Sequence, residues 1–182
     1  KLTEIFRQAR ESMIVVNAHR INRGEYPDCN AKGKDFFLLR TENEKEMPAT
    51  TKHLNIRRLP KFYTECDPVR DIQVMTPVRK GFLGTHQLNK ELQAILNPPS
   101  PEKRERKHGE RIFREGDKIM QIKNNYQLSW KRLDDLQDGQ GIFNGDVGFI
   151  QSIDTENGYV YALFDDNKYV HYEFSQLDEV EL

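Results

Sequence analysis

At 182 residues, with 36% hydrophobic and 31% charged side chains, the chain suits one large domain or two small ones. Its 10% aromatic content excludes a wholly disordered polymer. A net charge of −1 excludes the global basicity of a small free-standing DNA binder, so any nucleic-acid surface has to be a local patch with acids placed elsewhere.

In chain order, Leu2 to Ala9 is a short apolar pattern interrupted by Arg7. Ser12 is a good N-cap for a helix with Met13, Ile14, Ala18 and Ile21 on one face and Gly24 as its stop. Pro27 to Lys34 reads as a loop, and Asp35 to Arg40 as a short buried strand. Glu42 to Tyr63 is ambiguous, with Pro48, two threonines able to cap a short helix, and a stop at Pro60. Asp71 to Met75 reads as another strand, followed by a loop carrying Thr76, Arg79, Lys80, Gly81 and Gly84. Thr85 is the expected cap of an amphipathic helix with Leu88, Leu92, Ile95 and Leu96 on one side, closed by Asn97-Pro98-Pro99. This alternation of strand and helix predicts an α/β layer.

Pro98 to Arg111 is a composition break, Pro-rich and then charge-rich, expected to be a boundary or an exposed crossover. Beyond it the pattern changes to short strands at Asp117–Ile122, Gly148–Ile153, Tyr159–Phe164, Lys168–Tyr172 and near Glu179–Leu182. Asn157-Gly158 and Asp165-Asp166-Asn167 are turn signals, and five short strands fit a small SH3-like barrel. Ile119, Val147 and Phe149 are expected to face its core. Between the first two strands a polar loop is expected, carrying Lys123, Asn124, Asn125, Tyr126, Trp130, Lys131 and Arg132.

The chemistry-bearing residues each admit two readings. Arg7 is either a surface arginine or a phosphate sensor at the edge of a nucleotide site. The Thr76–Gly84 loop is either a solvated turn or a ligand site at a strand's C-terminal end. Asn124, Asn125 and Tyr126 either satisfy turns or, near Lys123, Lys131 and Arg132, meet phosphates and unstacked bases. Five histidines show no HxxxH or HExxH spacing, and Cys29 and Cys66 match no zinc pattern; they read as reduced thiols of a cytoplasmic protein. Gly33-Lys34 is followed by Asp35, so GxxxxGK[ST] is not met and the chain has no visible way to hold the phosphates and magnesium of ATP. No apolar run approaches the roughly 20 residues that span a bilayer.

Three blocks, in order, carry a resemblance. Leu-Thr-Glu-Ile-Phe-Arg-Gln-Ala with Ser12 and Asn17 to Gly24 resembles the segment after the third motif of RecD-like helicases. Asp71 to Gly81, then Gly84-Thr85, Leu88-Asn89 and Leu92-Gln93 before Leu96-Asn97-Pro98, is similar to that family's next block. Gly116 to Gln121, Asn124-Asn125-Tyr126 and Phe143 to Gly148 resemble its SH3-like insertion, and Leu177 to Leu182 the approach to its fifth motif. The family comprises superfamily 1 DNA helicases, including exodeoxyribonuclease V alpha subunits, which use ATP to translocate 5′ to 3′ on single strands in DNA repair and recombination.

The resemblance implies part of the second RecA-like motor domain over residues 1–110 and an SH3-like barrel over 111–182. It implies that Arg7, with Gln8, reaches the γ-phosphate of ATP held with Mg by another domain. Thr76, Arg79, Lys80, Lys123, Asn124, Asn125, Tyr126 and Arg132 become candidates for the single-stranded DNA path. Other subunits of a recombination complex are possible partners. Walker A, Walker B and the fifth and sixth motifs are absent, and the chain starts at Lys1 without a methionine. A piece of a longer ATP-dependent enzyme, inactive as an ATPase alone, is therefore expected; a non-enzymatic SH3-like protein- or nucleic-acid-binding module is the alternative.

Overall fold

The computed structural model describes residues 12–29 and 35–182, in two compact units that divide after Glu44. In the first unit, Ser12 is the N-cap of α1 (Met13–Asn22), its hydroxyl accepting from the Ile14 amide at 3.2 Å. Gly24 ends the helix region at φ 79°. The buried residues of α1 are Val15 and Asn17, whereas Ile14 is 46% exposed, which corrects the expected face. Asn17 is buried because its amide exchanges two bonds with the Asp28 backbone, at 3.0 and 2.7 Å. The expected buried strand at Asp35–Arg40 is not formed, and Phe37 is 63% exposed. An apolar run is a strand only when a neighbouring backbone takes its N–H and C=O groups, and among the described residues none pairs with it.

In the second unit, the ambiguous Glu42–Tyr63 span is helical over α2 (Met47–His53) and α3 (Leu59–Phe62), joined by one π-helical turn at Leu54–Arg58. Pro48 sits in the first turn of α2, and Pro60 follows the π-helical turn, whose C-cap Leu59 donates its amide to the Leu54 carbonyl. The helix therefore runs two residues past the expected stop. Asp71–Met75 is also not a strand, and Met75 is 88% exposed. The segment is tied instead by Asp67, whose carboxylate takes the Val69 and Arg70 amides, and by Lys118 Nζ on the carbonyls of Arg70 and Ile72. Helix α4 (Thr85–Leu96) is capped by Gly84 rather than Thr85. A Cβ at Gly84 would lie 2.5 Å from the Arg79 carbonyl oxygen, so only glycine allows this approach. No helix among the described residues is long and apolar enough to cross a membrane.

All strands among the described residues follow α4. A hairpin, β1 (Glu105–His108) and β2 (Arg111–Arg114), occupies the stretch expected to be a solvated linker. The remaining strands are β3 (Lys118–Gln121), β4 (Asn125–Arg132), β5 (Asp138–Ile142), β6 (Val147–Asp154), β7 (Tyr159–Phe164), β8 (Lys168–Glu173) and β9 (Val180–Glu181). They form one curled antiparallel sheet in the order β5-β4-β8-β7-β6-β3-β9, consistent with an SH3-like domain but with seven strands where five were expected. The α/β layer is absent from the described residues: no parallel pair and no strand before Glu105 is found among them.

Alternation sends Val160, Ala162, Phe164, Val170 and Tyr172 inward, against Phe113, Ile119, Ile142 and Ile150. Ile119 is in the core as expected, but on β6 the inward residues are Gly148 and Ile150, so Val147 and Phe149 face outward. A register shift between Ile150 and Ser152 then returns Ile153 to the core. Gly158 (φ 80°) and Asn167 (φ 56°) make the two turns read from the sequence.

Helix α4 is welded to the barrel by the buried Asp117. Its carboxylate accepts from Asn97 Nδ2 at 2.7 Å, Gln93 Nε2 at 2.6 Å and the Arg114 amide at 2.6 Å. Arg114, also buried, pairs with Glu105 at 2.6 Å and donates to the Asn97 carbonyl. The Pro98–Arg111 break thus lies inside the second unit. Burial pushes the Asp117 carboxyl up, against the opposing bonds from Asn97, Arg114 and Gln93. With a raised folded pKa, this group contributes most below the unfolded value of about 3.9 and loses that contribution as pH rises through the folded one.

Asp117→Asn turns one acceptor oxygen into a donor facing a donor, and should cost about 1–3 kcal/mol in urea unfolding at pH 7. The gap to wild type should widen as the pH falls toward about 4. An unchanged midpoint would remove Asp117 from this role.

Candidate nucleic-acid interface

The Arg79–Phe82 loop, the exposed side of α4, the β1–β2 hairpin and residues 181–182 enclose an open cleft of about 920 Å³. Its cationic lining is Arg79, Lys80, Lys90, Lys107 and Arg111, opposed by Glu110 and Glu181, and His86 also faces it. Thr76 braces the loop: its hydroxyl donates to the Leu83 carbonyl at 2.7 Å, and Gly81 turns the chain at φ 86°. That leaves Thr76 off the cleft wall and Arg79 and Lys80 on it, both exposed. Arg111 is committed to the barrel, donating to the Val180 and Leu177 carbonyls and meeting Asp178, which also holds His108 at 2.9 Å. The Asp178 carboxyl is pulled down first by its bond to His108.

Arg79, Lys80, Lys90 and Lys107 have no carboxylate partner among the described residues, whereas Lys52, Arg114 and Arg132 are all paired. Four cations without a direct ion-pair partner around one cleft, against the two carboxylates of Glu110 and Glu181, create a net positive potential suited to a phosphate chain. The charge is segregated to match. Residues 45–110 hold thirteen Lys and Arg against eight Asp and Glu, whereas residues 111–182 hold seven against fourteen.

Asn124, Asn125 and Tyr126 form a second locus, at the start of β4 rather than in the expected loop. Asn125 is a fixed part of the barrel. Its Oδ1 accepts the Gln127 and Leu128 amides at 3.1 and 3.0 Å, and its Nδ2 donates to Glu179 at 2.8 Å. Glu179 in turn takes the side chain of buried Gln121, whose Oε1 accepts from the Tyr172 hydroxyl at 2.8 Å. Burial pushes the Tyr172 phenol far up, so it stays a donor. Asn124 reaches outward, its Oδ1 accepting the Asn144 amide at 2.9 Å and its Nδ2 lying 3.4 Å from the Tyr126 hydroxyl.

On this frame Tyr126, 67% exposed, meets Phe143 edge-to-face with ring centroids 5.5 Å apart. Phe143 is itself 41% exposed and backed by Gly141, where a Cβ would lie 2.8 Å from the ring. Two exposed rings on a rigid rim, with the exposed Lys123 beside them, can stack an unpaired base.

Arg132 does not belong to this rim. It lies at the other end of β4, about 20 Å from Tyr126 along the strand, where it pairs with Asp135 at 3.2 Å. Trp130 packs against the core and Gly139. Arg7 and Gln8 lie outside the described residues. Lys90, Lys107 and Phe143 were not singled out as contacts from the sequence. Gly109 between two charged quartets is the turn signal that would have made Lys107 a hairpin residue. Among the described residues no group of three or more His, Cys, Asp or Glu side chains could hold a metal ion.

Two comparisons bear on this geometry. A family model described as the ATP-dependent RecD-like DNA helicase SH3 domain matches residues 88–164, a span that includes most of α4 and the strands through β7. The chain is also similar to the ATP-dependent RecD2 DNA helicase of Deinococcus radiodurans, 34% identical over 150 residues. That match covers 82% of this chain and 17% of the relative, so the chain spans about a sixth of the relative's length.

Asn125→Ala removes an acceptor for two amides and the partner of Glu179. It should cost about 1–3 kcal/mol in denaturant unfolding and free the Tyr126 ring, read as a loss of contact between the Tyr126 and Phe143 rings by NMR. A variant of wild-type stability with the rings still in contact would show that Asn125 does not position the rim.

Proposed function

We propose, from the premise that this chain belongs to the RecD-like helicases, that it is the part of an ATP-dependent 5′ to 3′ DNA helicase that grips single-stranded DNA. The observation that carries this reading is the cleft of four unpaired cations, Arg79, Lys80, Lys90 and Lys107. Phosphates lie along that wall, where each neutralised charge releases a counterion. The Tyr126–Phe143 rim supplies a stacking platform, and Lys123 and Asn124 contribute charge and an amide at its edge. Thr76 shapes the loop, and Asn125 holds the rim from behind. Arg132 is reserved for Asp134 and Asp135 and takes no part.

The sequence has no GxxxxGK[ST] to cradle the phosphates of ATP with Mg. Both would be held by the longer protein, to which the residues before the SH3-domain match contribute part of a RecA-like motor domain. Arg7, with Gln8 beside it, supplies that site with a guanidinium at the γ-phosphate.

Three measurements test the reading. The double change Lys80→Gln with Lys107→Gln should make the log–log salt dependence of oligothymidine affinity shallower by about 1.4, since each phosphate contact on a single strand is worth about 0.7. An unchanged slope would exclude the cleft. Tyr126→Ala should instead weaken binding roughly 5- to 150-fold, the worth of one stacked base, with the slope intact; wild-type affinity would remove the rim from the path. In the full-length enzyme, Arg7→Ala should preserve nucleotide binding and lower turnover by orders of magnitude, and normal turnover would return Arg7 to the surface.

A further inference from the structure

The outer face of β6–β7–β8 is a second built surface. Because Val160, Ala162, Val170 and Tyr172 point inward, Tyr159, Tyr161, Tyr169 and His171 point outward together. Tyr161 and Tyr169 are stacked, with centroids 5.8 Å apart and planes at 15°. Tyr159 meets His171 edge-on at 5.6 Å and lies 6.3 Å from Tyr161. The result is one continuous aromatic surface of half-buried tyrosines with an exposed histidine. Cross-strand aromatic pairs also stabilise a sheet, so the rings alone do not identify a ligand.

Charge does. Tyr159 is flanked in register by Asp154 on β6 and Glu173 on β8, and the barrel around it has twice as many acids as bases. A phosphate backbone is repelled there, and a cation is attracted. The same face already takes a cation from its own chain: the Arg70 guanidinium lies 4.9 Å over the Phe149 ring, at the other end of the surface. No Lys or Arg of the described residues covers Tyr159, Tyr161 or Tyr169 in this way. Lys131, next to Tyr169 in register, is matched across the sheet by Asp138.

We propose that this face docks an extended, arginine- or lysine-bearing segment of a partner protein, its cations over the Tyr161 and Tyr169 rings and against Asp154 and Glu173. Tyrosine suits the task because it offers a large rigid contact area at a small entropic cost. The surface is independent of the proposed DNA path, which uses Arg79, Lys80, Tyr126 and Phe143.

The test is an amide NMR titration of the 182-residue chain with a ten-residue peptide of alternating arginine and glycine. The glutamate–glycine counterpart and a ten-nucleotide thymidine strand serve as controls. The basic peptide alone should shift the amides of Asp154, Tyr159–Leu163 and Tyr169–Glu173. The double change Tyr161→Leu with Tyr169→Leu keeps apolar packing but removes the π faces, and should weaken the peptide about 5- to 30-fold while leaving thymidine affinity unchanged. Should that variant lose its dispersed spectrum, Asp154→Asn with Glu173→Gln keeps every ring and should weaken the peptide several-fold. Peptide shifts confined to the Arg79–Lys107 cleft, undiminished affinity in the folded variants, or stronger shifts of the ladder by thymidine would each overturn the proposal.

Discussion

The constraint on which the second unit depends is the need to satisfy the buried carboxylate of Asp117. A carboxylate out of water is costly unless its lone pairs are taken up. Here they are taken by a helix side chain, a helix-terminal side chain and a strand amide. Those three donors fix where α4 ends, where β2 ends and how the two meet. The exposed side of α4 then forms one wall of the cationic cleft, and the hairpin that continues from Arg114 forms another. Moving the helix by one turn would orphan two amides, so the geometry of the cleft follows from that of Asp117. The hairpin is held a second time by Arg111 and His108 on Asp178, at its other end.

A similar logic, with a different chain of groups, sets the aromatic rim. The Tyr172 hydroxyl is buried and must donate; Gln121 accepts it and passes its own donors to Lys123 and Glu179, and Glu179 accepts Asn125. Each member is satisfied, so the network specifies one arrangement. Its last member fixes the residue before Tyr126. An exposed ring on a flexible loop would pay ordering entropy on meeting a base; a ring whose backbone is already determined loses less.

How much of this was legible in the sequence differs by element for physical reasons. The strands from Val147 to Glu173 were readable because alternation and the Asn157-Gly158 turn are local signals. Their facing on β6 was not, since the shift between Ile150 and Ser152 depends on β7 and reverses the parity that alternation assumes. Strand β4 was hidden because Asn-Tyr-Gln-Leu-Ser-Trp-Lys-Arg has little apolar periodicity; it is held by β5 and β8 through backbone pairing. The opposite error occurred at Asp35–Arg40 and Asp71–Met75, where apolar composition suggested strands that no described neighbour completes. At the candidate interface, Arg79, Lys80 and Tyr126 could be singled out by residue type. That Lys107 joins the first two and that Arg132 is distant from the third are facts of pairing, set by the Gly109 turn and by the length of β4.

The near-zero net charge of the whole chain conceals the separation that matters. An acidic barrel beside a basic cleft costs little while the two signs lie on different surfaces, because each is hydrated and screened within about 10 Å at moderate salt. The gain is directional. Under the proposed reading, a polyanion would be turned away from the outer sheet and drawn toward the cleft, and a cationic segment steered in the reverse sense. Aromatic rings occur on both surfaces and serve either partner, since a ring face accepts a base or a guanidinium. What distinguishes the Tyr126–Phe143 rim from the Tyr161–Tyr169 face is therefore the charge around the rings: Lys123 beside the first, Asp154 and Glu173 beside Tyr159 on the second. On the two proposals, selectivity at each surface would come from neighbours that exclude the wrong ligand as much as from the rings that hold the right one.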